Sequence, residues 1–175
     1  MVHLKNAAIV AVGLLGLVGC AKSAPPAADT AADEAAVRAV NPAWFKAYTA
    51  GDVDGLVALY ADDAVVNVPG APPARGRAAI RESLAKDVAA STAGGFTLNQ
   101  GPTSDVGVSG DLGWEWSTFT VTDKSGAAVD AGKYVTVYGR KDGKWLIIRD
   151  IWNSDTPAAP PTPPSSAKAP AKPQS

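Results

Sequence analysis

One stretch decides the fold of this chain: GDVDGLVALYADDAVVNVP, which runs from Gly51 to Pro69. Gly51 is expected to end one helix, and Asp52 to cap the next by accepting a backbone N–H. Apolar side chains then recur at helical spacing, and the β-branched run at residues 64–68 predicts a strand that Pro69 closes. A helix, a short helix and a strand in this order predict a corner that can hold a pocket.

Three segments carry a family resemblance: residues 51–69 continued through RGRAAIRE at 75–82, GKYVTV at 132–137 and KWLIIRDIWN at 144–153. Together they resemble the nuclear transport factor 2-like superfamily, which includes the ketosteroid isomerases and the SnoaL-like polyketide cyclases. The resemblance covers residues 29–155, and it is greatest to SnoaL-like domains of unknown function. It implies a cone-shaped, curved, mostly antiparallel sheet packed on three N-terminal helices. Because one scaffold carries many chemistries, it does not fix a reaction.

Periodicity independently supports an α+β fold. Two further segments have apolar stripes at helical spacing: Val37, Val40, Trp44 and Tyr48 in a helix ending near Ala50, and Ile80, Leu84 and Val88 at residues 77–90. Later segments predict strands at residues 96–100, 112–122, 133–138 and 145–153. Helices followed by a mostly antiparallel sheet indicate the α+β class.

Residues 1–19 have the pattern of an export signal, with Lys5 before an apolar core. LVGC at residues 17–20 is similar to the lipobox of bacterial lipoproteins, which implies a lipid on Cys20 and a membrane anchor. The alternative is an ordinary signal peptide with a chance cysteine. Ala21, where an inner-membrane retention signal would have Asp, favours the outer membrane facing the periplasm.

The segments that flank the domain are rich in Ala, Pro and Ser. Residues 20–28 are predicted to be a tether, and residues 156–175 a disordered tail that cannot bury enough apolar surface to fold. The net charge of −1 argues against a nucleic-acid partner, which needs a basic face.

The composition excludes several kinds of catalytic site. The only histidine is His3, in the predicted signal, and the only cysteine is Cys20. Ser–His–Asp and Cys–His catalysis are therefore excluded, as are zinc sites built on His or Cys, and we expect no metal or cofactor. An acid–base site would have to use carboxylates, tyrosines or lysines.

The resemblance also allows a position-by-position comparison with ketosteroid isomerase. The place of its proton-shuttling aspartate is taken by Val68, and that of its oxyanion-binding tyrosine by Trp44. The second oxyanion donor falls at Val135. Steroid isomerisation by that mechanism is therefore not expected.

The inward positions of the family imply a pocket lined mainly by apolar and aromatic side chains. The predicted ligand-binding residues are Trp44, Tyr48, Tyr60, Val68, Leu84, Trp116, Val135, Val137, Ile148 and Trp152. Strand alternation places Asp150 on the same face as Trp152. Burial among such neighbours would raise the pKa of Asp150, so it is the candidate general base.

Two functions stay open for this pocket. In the first, the domain binds a small hydrophobic molecule and Asp150 is a structural acceptor of a Trp or Tyr donor, or the partner of an arginine. In the second, the domain is an isomerase, dehydratase or hydrolase with Asp150 as general base and Trp44 or Tyr60 as polar partner.

The tryptophans suggest a further contact surface. Trp114 and Trp116 share one face of their strand, whereas Trp145 and Trp152, an odd number of residues apart, are expected on opposite faces. Aromatic residues at this period usually lie in a core or an interface. Because family members often pair through the sheet, we expect a homodimer.

Overall fold

The computed structural model describes residues 30–157. The predicted signal peptide (1–19), the tether (20–28), the lipidation residue Cys20 and the predicted tail after residue 157 lie outside the described residues. Among the helices within 30–157, none is both long enough and apolar enough to cross a membrane.

Three helices and six strands make up the described part of the chain. In chain order they are α1 (Thr30–Ala50), α2 (Val53–Ala58), β1 (Tyr60–Asn67), β2 (Ala74–Arg75), α3 (Gly76–Gly94), β3 (Thr97–Ser109), β4 (Leu112–Thr122), β5 (Ala128–Lys141) and β6 (Lys144–Ser154). The predicted α+β class is confirmed.

The strands form one sheet in the order β2-β1-β6-β5-β4-β3. All neighbouring strands are antiparallel except β1 and β6, which run parallel. The helices pack on one face of this sheet, α1 against β3 and β4 and α3 against β1. We call this helix-covered face the inner face and the opposite one the outer face.

The corner at residues 51–69 has the predicted capping geometry. Gly51 takes a φ of 71°, a conformation that favours glycine, and ends α1. The carboxylate of Asp52 accepts a hydrogen bond from the Gly55 N–H at 2.8 Å and so caps α2. β1 begins at Tyr60, earlier than the sequence indicated, because the backbone carbonyl of Leu59 already accepts from the Ile147 N–H of β6 at 2.9 Å.

The core lies between the helices and the inner face. Its fully buried members include Val37 of α1, Leu56 of α2, Tyr60 of β1 and Ile80 of α3. The predicted stripe of α3 is confirmed, since Ile80, Leu84 and Val88 are all buried. Apolar side chains from every helix thus belong to one core that also contains Tyr60, the first residue of β1.

The two faces of β4 and β5 carry different side chains from those predicted. Glu115, Ser117 and Phe119 of β4 are buried on the inner face, as are Tyr134, Thr136 and Tyr138 of β5. The outer face carries Trp114, Trp116, Val135, Val137 and Ile151, and four of these large apolar side chains are substantially exposed: Trp114 (46%), Trp116 (40%), Val135 (39%) and Ile151 (51%).

A β-bulge changes the alternation of β6. Val137 pairs with Arg149 while its neighbour Tyr138 pairs with Ile147, so Ile148 is an extra residue without a direct partner between them. Trp145 points inward before the bulge and Trp152 points inward after it. The expectation that these two tryptophans lie on opposite faces is therefore wrong.

Candidate functional site

A cavity of ≈ 720 Å³ lies between α1, α3 and the inner face of the sheet. The predicted ligand-binding residues that line it are Trp44, Tyr48, Tyr60, Val68, Leu84 and Trp152, and the candidate base Asp150 lines it as well. Its remaining walls are mostly apolar, and they include Phe45, Val66, Ile80, Phe96, Leu98 and Phe119.

Four predicted ligand-binding residues are misplaced and do not line the cavity. Trp116 and Val135 face each other across β4 and β5 on the outer face, and Val137 pairs there with Trp114. Ile148 lies at the bulge, where its side chain packs over Gly139. The alternation of β4 and β5 is real, but the sequence interpretation assigned its two faces in reverse. Val135 therefore does not occupy a site position equivalent to the second oxyanion donor of ketosteroid isomerase.

Asp150 lies on the cavity wall with hydrogen bonds to both carboxylate oxygens. The Tyr60 hydroxyl donates to Oδ2 at 3.0 Å, and the Thr136 hydroxyl donates to Oδ1 at 3.2 Å. The Asn67 amide donates to the backbone carbonyl of Asp150 at 3.3 Å and so ties β1 to β6. An ionised carboxylate has about four lone-pair sites, so these donors leave room for a ligand.

Burial raises the pKa of Asp150 from 3.8 to about 6. The hydrogen bonds from Tyr60, Thr136 and the Ile151 N–H act in the opposite direction, because they stabilise the charged form. The net effect is a raised pKa, because the carboxylate has no cationic partner among its described hydrogen bonds to offset burial. The carboxylate therefore titrates near the pH range in which a general base is effective.

Trp44 and Tyr60 extend this arrangement into a chain of hydrogen bonds. The Trp44 indole N–H donates to the Tyr60 hydroxyl at 2.9 Å, and that hydroxyl donates onward to Asp150. Tyr60 is fully buried, and its burial, together with the charge of Asp150, raises the pKa of its hydroxyl well above 10.0. Tyr60 therefore acts here as a hydrogen-bond donor and not as an anion.

The α1–α3 side of the cavity carries a second, smaller arrangement. Tyr48 stacks on Trp44 with ring centroids 5.1 Å apart, and its hydroxyl donates to Asp87 at 2.9 Å. Further along α3, Lys86 pairs with Glu82 at 2.7 Å, and both side chains are well exposed. This part of the lining is thus polar at its solvent edge and aromatic within.

Glu115 forms a separate polar cluster, which sequence reasoning missed. It is fully buried, and its carboxylate accepts from Tyr134 at 3.3 Å and from Tyr138 at 3.2 Å. The Gln100 amide donates to it at 3.5 Å. Burial raises the pKa of Glu115, and that of the Tyr134 hydroxyl to about 12. Glu115 itself does not line the cavity, although Tyr134 does.

Several lining residues were not predicted, among them Asn41, Asp87, Phe119, Tyr134 and Thr136. One available signal was the row Tyr134, Thr136 and Tyr138, whose hydroxyls all lie on one side of a strand. A glutamate between Trp114 and Trp116 was another, because alternation puts it on the face that these tryptophans leave free. Within residues 30–157, no group of three or more His, Cys, Asp or Glu side chains is placed to hold a metal ion.

Solved structures with the same fold include proteins of several descriptions. A nuclear transport factor 2-like protein with a cystatin-like fold from Novosphingobium aromaticivorans superposes with a TM-score of 0.63 at 24% identity, covering 70% of this chain and 81% of that one. A candidate dehydratase of that family from Streptomyces avermitilis gives 0.58 at 21%, covering 70% and 95%. A candidate aromatic ring hydroxylase from N. aromaticivorans gives 0.59 at 22%, covering 73% and 92%.

These likenesses show the fold, and the sequence match shows the family. The model of the SnoaL-like domain matches residues 42–148, a segment that runs from the middle of α1 into β6 and contains most of the cavity wall. Because this match covers more than half of the 175 residues, the chain belongs to the SnoaL-like family.

Proposed function

We propose that the cavity binds a small, largely apolar molecule. The observation that carries this proposal is the cavity itself, which measures ≈ 720 Å³ and is lined mostly by aromatic and aliphatic side chains. Sites for small molecules typically measure about 300–1,000 Å³ and combine apolar walls with a few polar groups. Asp150 supplies one such group, as an acceptor for a hydroxyl or N–H of the ligand.

Two neighbouring alanines of α3 allow a matched test. Ala79 lines the cavity and Ala78 does not, and both are exposed. Binding of 2-ethylnaphthalene to the full-length protein would be followed by its fluorescence. Ala79→Trp should fill part of the cavity and weaken binding about tenfold or more, whereas Ala78→Trp should leave it unchanged. Equal binding by both variants would contradict the proposal. If binding depends on Ala79 as expected, mass spectrometry of molecules that co-purify with the protein would identify the natural ligand.

The second candidate function is proton transfer by Asp150. It is favoured by one specific observation, a carboxylate on the cavity wall whose pKa burial raises to about 6. The candidate dehydratase and candidate hydroxylase among the structural neighbours carry their names on the same fold. Asp150 would remove a proton from carbon beside a ligand carbonyl, and Tyr60 would keep the carboxylate oriented.

A carbon acid in D₂O tests this second candidate without a known substrate. The full-length protein should catalyse deuterium incorporation into 2-tetralone, measured by mass spectrometry, and Asp150→Asn should abolish that catalysis. Asp105→Asn is the matched control, because Asp105 is exposed and does not line the cavity. It lies on β3 opposite Trp116 of β4. Catalysis that survives in Asp150→Asn would remove the residue from the mechanism.

We further propose that the protein is exported and held at the outer membrane, facing the periplasm, by lipid on Cys20. The support is the LVGC pattern at residues 17–20 after an apolar segment. Cys20→Ser should move the protein from the membrane fraction to the soluble fraction. Unchanged membrane association of that variant would place the anchor elsewhere.

A homodimer through the outer face is proposed on the exposure of its apolar side chains. Trp114, Trp116, Val135 and Ile151 form a contiguous row across β4, β5 and β6 and are each at least 39% exposed. An apolar patch of this kind often marks an interface between proteins. Sedimentation analysis should show a dimer for the wild type and a monomer for Trp116→Glu; a monomeric wild type would contradict the proposal.

A further inference from the structure

Asn41 is a buried hydrogen-bond donor that lines the cavity. It lies on α1, one turn before Trp44 and Phe45, and only 5% of its surface is exposed. Within residues 30–157, its Nδ2 atom has no hydrogen-bond partner. Buried side-chain donors are rarely left unpaired, and an unpaired one costs about 1–3 kcal/mol. A partner supplied by a bound molecule would remove that cost.

Glu115 is the acceptor beside the Asn41 amide. The Asn41 amide lowers the pKa of Glu115 as a donor does, but the two side chains are not aligned well enough for a full hydrogen bond. An amide nitrogen carries two N–H bonds, and a poorly aligned contact with Glu115 engages only one of them. Nδ2 therefore keeps at least one N–H that can donate to a molecule in the cavity.

We propose that Asn41 is a second polar anchor of the cavity and donates to an uncharged oxygen of the ligand, a carbonyl or a hydroxyl. This inference rests on the proposed function, in which the cavity binds an apolar molecule. It adds a ligand class: an apolar molecule whose acceptor oxygen lies at Asn41. Asn41 supplies a donor to the cavity, whereas the Asp150 carboxylate supplies an acceptor.

The charges around the cavity explain why the oxygen is uncharged. Carboxylates line the cavity on α3, β5 and β6, at Glu82, Asp87, Asp130 and Asp150. Hydrogen bonds from Ser154 and Thr156 lower the pKa of Asp130 and keep it ionised. Lys86 is the only basic lining residue in the described part of the chain, and it is paired with Glu82. A carboxylate ligand would meet repulsion without a cation to offset it.

Three matched probes and two variants test the proposal on the full-length protein. The probes are 2-acetylnaphthalene, 2-ethylnaphthalene and 2-naphthoic acid, which share one ring system and differ in the acceptor and its charge. The wild type should bind the ketone about two- to tenfold more tightly than the hydrocarbon, which is the usual net effect of one hydrogen bond. The acid should bind no more tightly than the hydrocarbon.

Asn41→Leu should lose the preference for the ketone and keep the affinity for the hydrocarbon. Its resistance to urea should be unchanged or increased, because the substitution removes an unpaired donor. The control is Asn99→Leu, since the Asn99 amide donates to the Thr97 carbonyl and the Thr122 hydroxyl outside the cavity lining. That variant should be less stable and keep the ketone preference.

The outcomes separate this inference from the proposed function. If no probe binds the wild type, the proposed function is wrong and the inference falls with it. If ketone and hydrocarbon bind equally, or if Asn41→Leu keeps the preference, only the role of Asn41 is overturned. If Asn41→Leu does not fold, the wild type still allows a test by NMR. The side-chain amide signals of Asn41 should shift when the ketone is added and not when the hydrocarbon is added. Equal shifts would overturn the inference.

Discussion

Two carboxylates on the inner face of the sheet, Asp150 and Glu115, have very different settings. Asp150 lies on the wall of an open cavity, whereas Glu115 is fully buried and outside the cavity lining. Both accept hydrogen bonds from tyrosine hydroxyls, and burial raises the pKa of both. The two acids differ in their access to the cavity, so only Asp150 can contact a ligand bound there.

Tyr138 connects the two carboxylates. Its hydroxyl donates to Glu115 at 3.2 Å, and burial raises the pKa of that hydroxyl well above its ordinary value, with the charges of Glu115 and Asp150 adding to the rise. The two acids therefore share one low-dielectric layer, although only Asp150 opens to the cavity. We interpret Glu115 as a group that holds β3, β4 and β5 together and Asp150 as the group available for function.

The largest expected effect is the loss of stability in Glu115→Ala. The substitution leaves the buried Tyr134 and Tyr138 hydroxyls without their acceptor and opens a cavity. The free energy of unfolding in urea should fall by about 3 kcal/mol or more. Asp150→Ala, on the accessible wall, should cost less. If Asp150→Ala proves the more destabilising, the assignment of Glu115 as the structural acid and Asp150 as the accessible one is contradicted.

The next effect is a pH dependence that belongs to Asp150. Its pKa is 3.8 unfolded and about 6 folded, so the folded protein binds the proton more tightly. This contribution to stability is fully present below the unfolded pKa and is lost as the pH rises through the folded value. The unfolding free energy of the wild type minus that of Asp150→Asn should fall by about 2–3 kcal/mol between about pH 4 and pH 7. A flat difference would mean that the acid is not buried as described.

A smaller effect is expected from Tyr60→Phe, which sharpens the description of the accessible acid. The variant removes the donor to Asp150 and the acceptor of the Trp44 indole. Stability should fall by about 1–2 kcal/mol, and the pKa of Asp150 should rise above its wild-type value. Carboxyl ¹³C NMR across a pH titration measures that rise. A lowered pKa would contradict the assigned direction of the hydrogen bond.

The smallest effect is expected from Thr136→Val, which keeps the shape of a buried side chain and removes one donor to Asp150. Stability should change by about 1 kcal/mol or less. The pKa of Asp150 should again rise, by less than in Tyr60→Phe. If the two variants reversed that order, Thr136 and not Tyr60 would be the main support of the carboxylate.

Much of the fold could be predicted because its signals are local. The glycine and aspartate at Gly51 and Asp52, the stripe on α3 and the bounds of β4 follow from capping, helical period and strand period. The same local patterns put Asp150 and Trp152 on the correct face. Short-range chemistry was sufficient wherever one element decides its own geometry.

The face assignment of β4 and β5 could not be predicted from alternation alone. Alternation separates Trp116 from Glu115 but does not say which of them faces the helices. The family resemblance implied that Trp116 faces inward, which is wrong, because the inner face instead holds Glu115 and satisfies it with tyrosines from β5. That pairing depends on strand register, and the bulge at Ile148 has no local sequence signal. Asn41 was missed because its unpaired state is a property of the packed interior.

The measurement that tests the account most directly is a crystal structure of the protein with 2-acetylnaphthalene. The account predicts that the ring system lies in the cavity against Trp44, with its oxygen within hydrogen-bond distance of the Asn41 amide and Asp150 still bonded to Tyr60. A cavity filled by its own side chains, with the probe on the outer face beside Trp116, would contradict it.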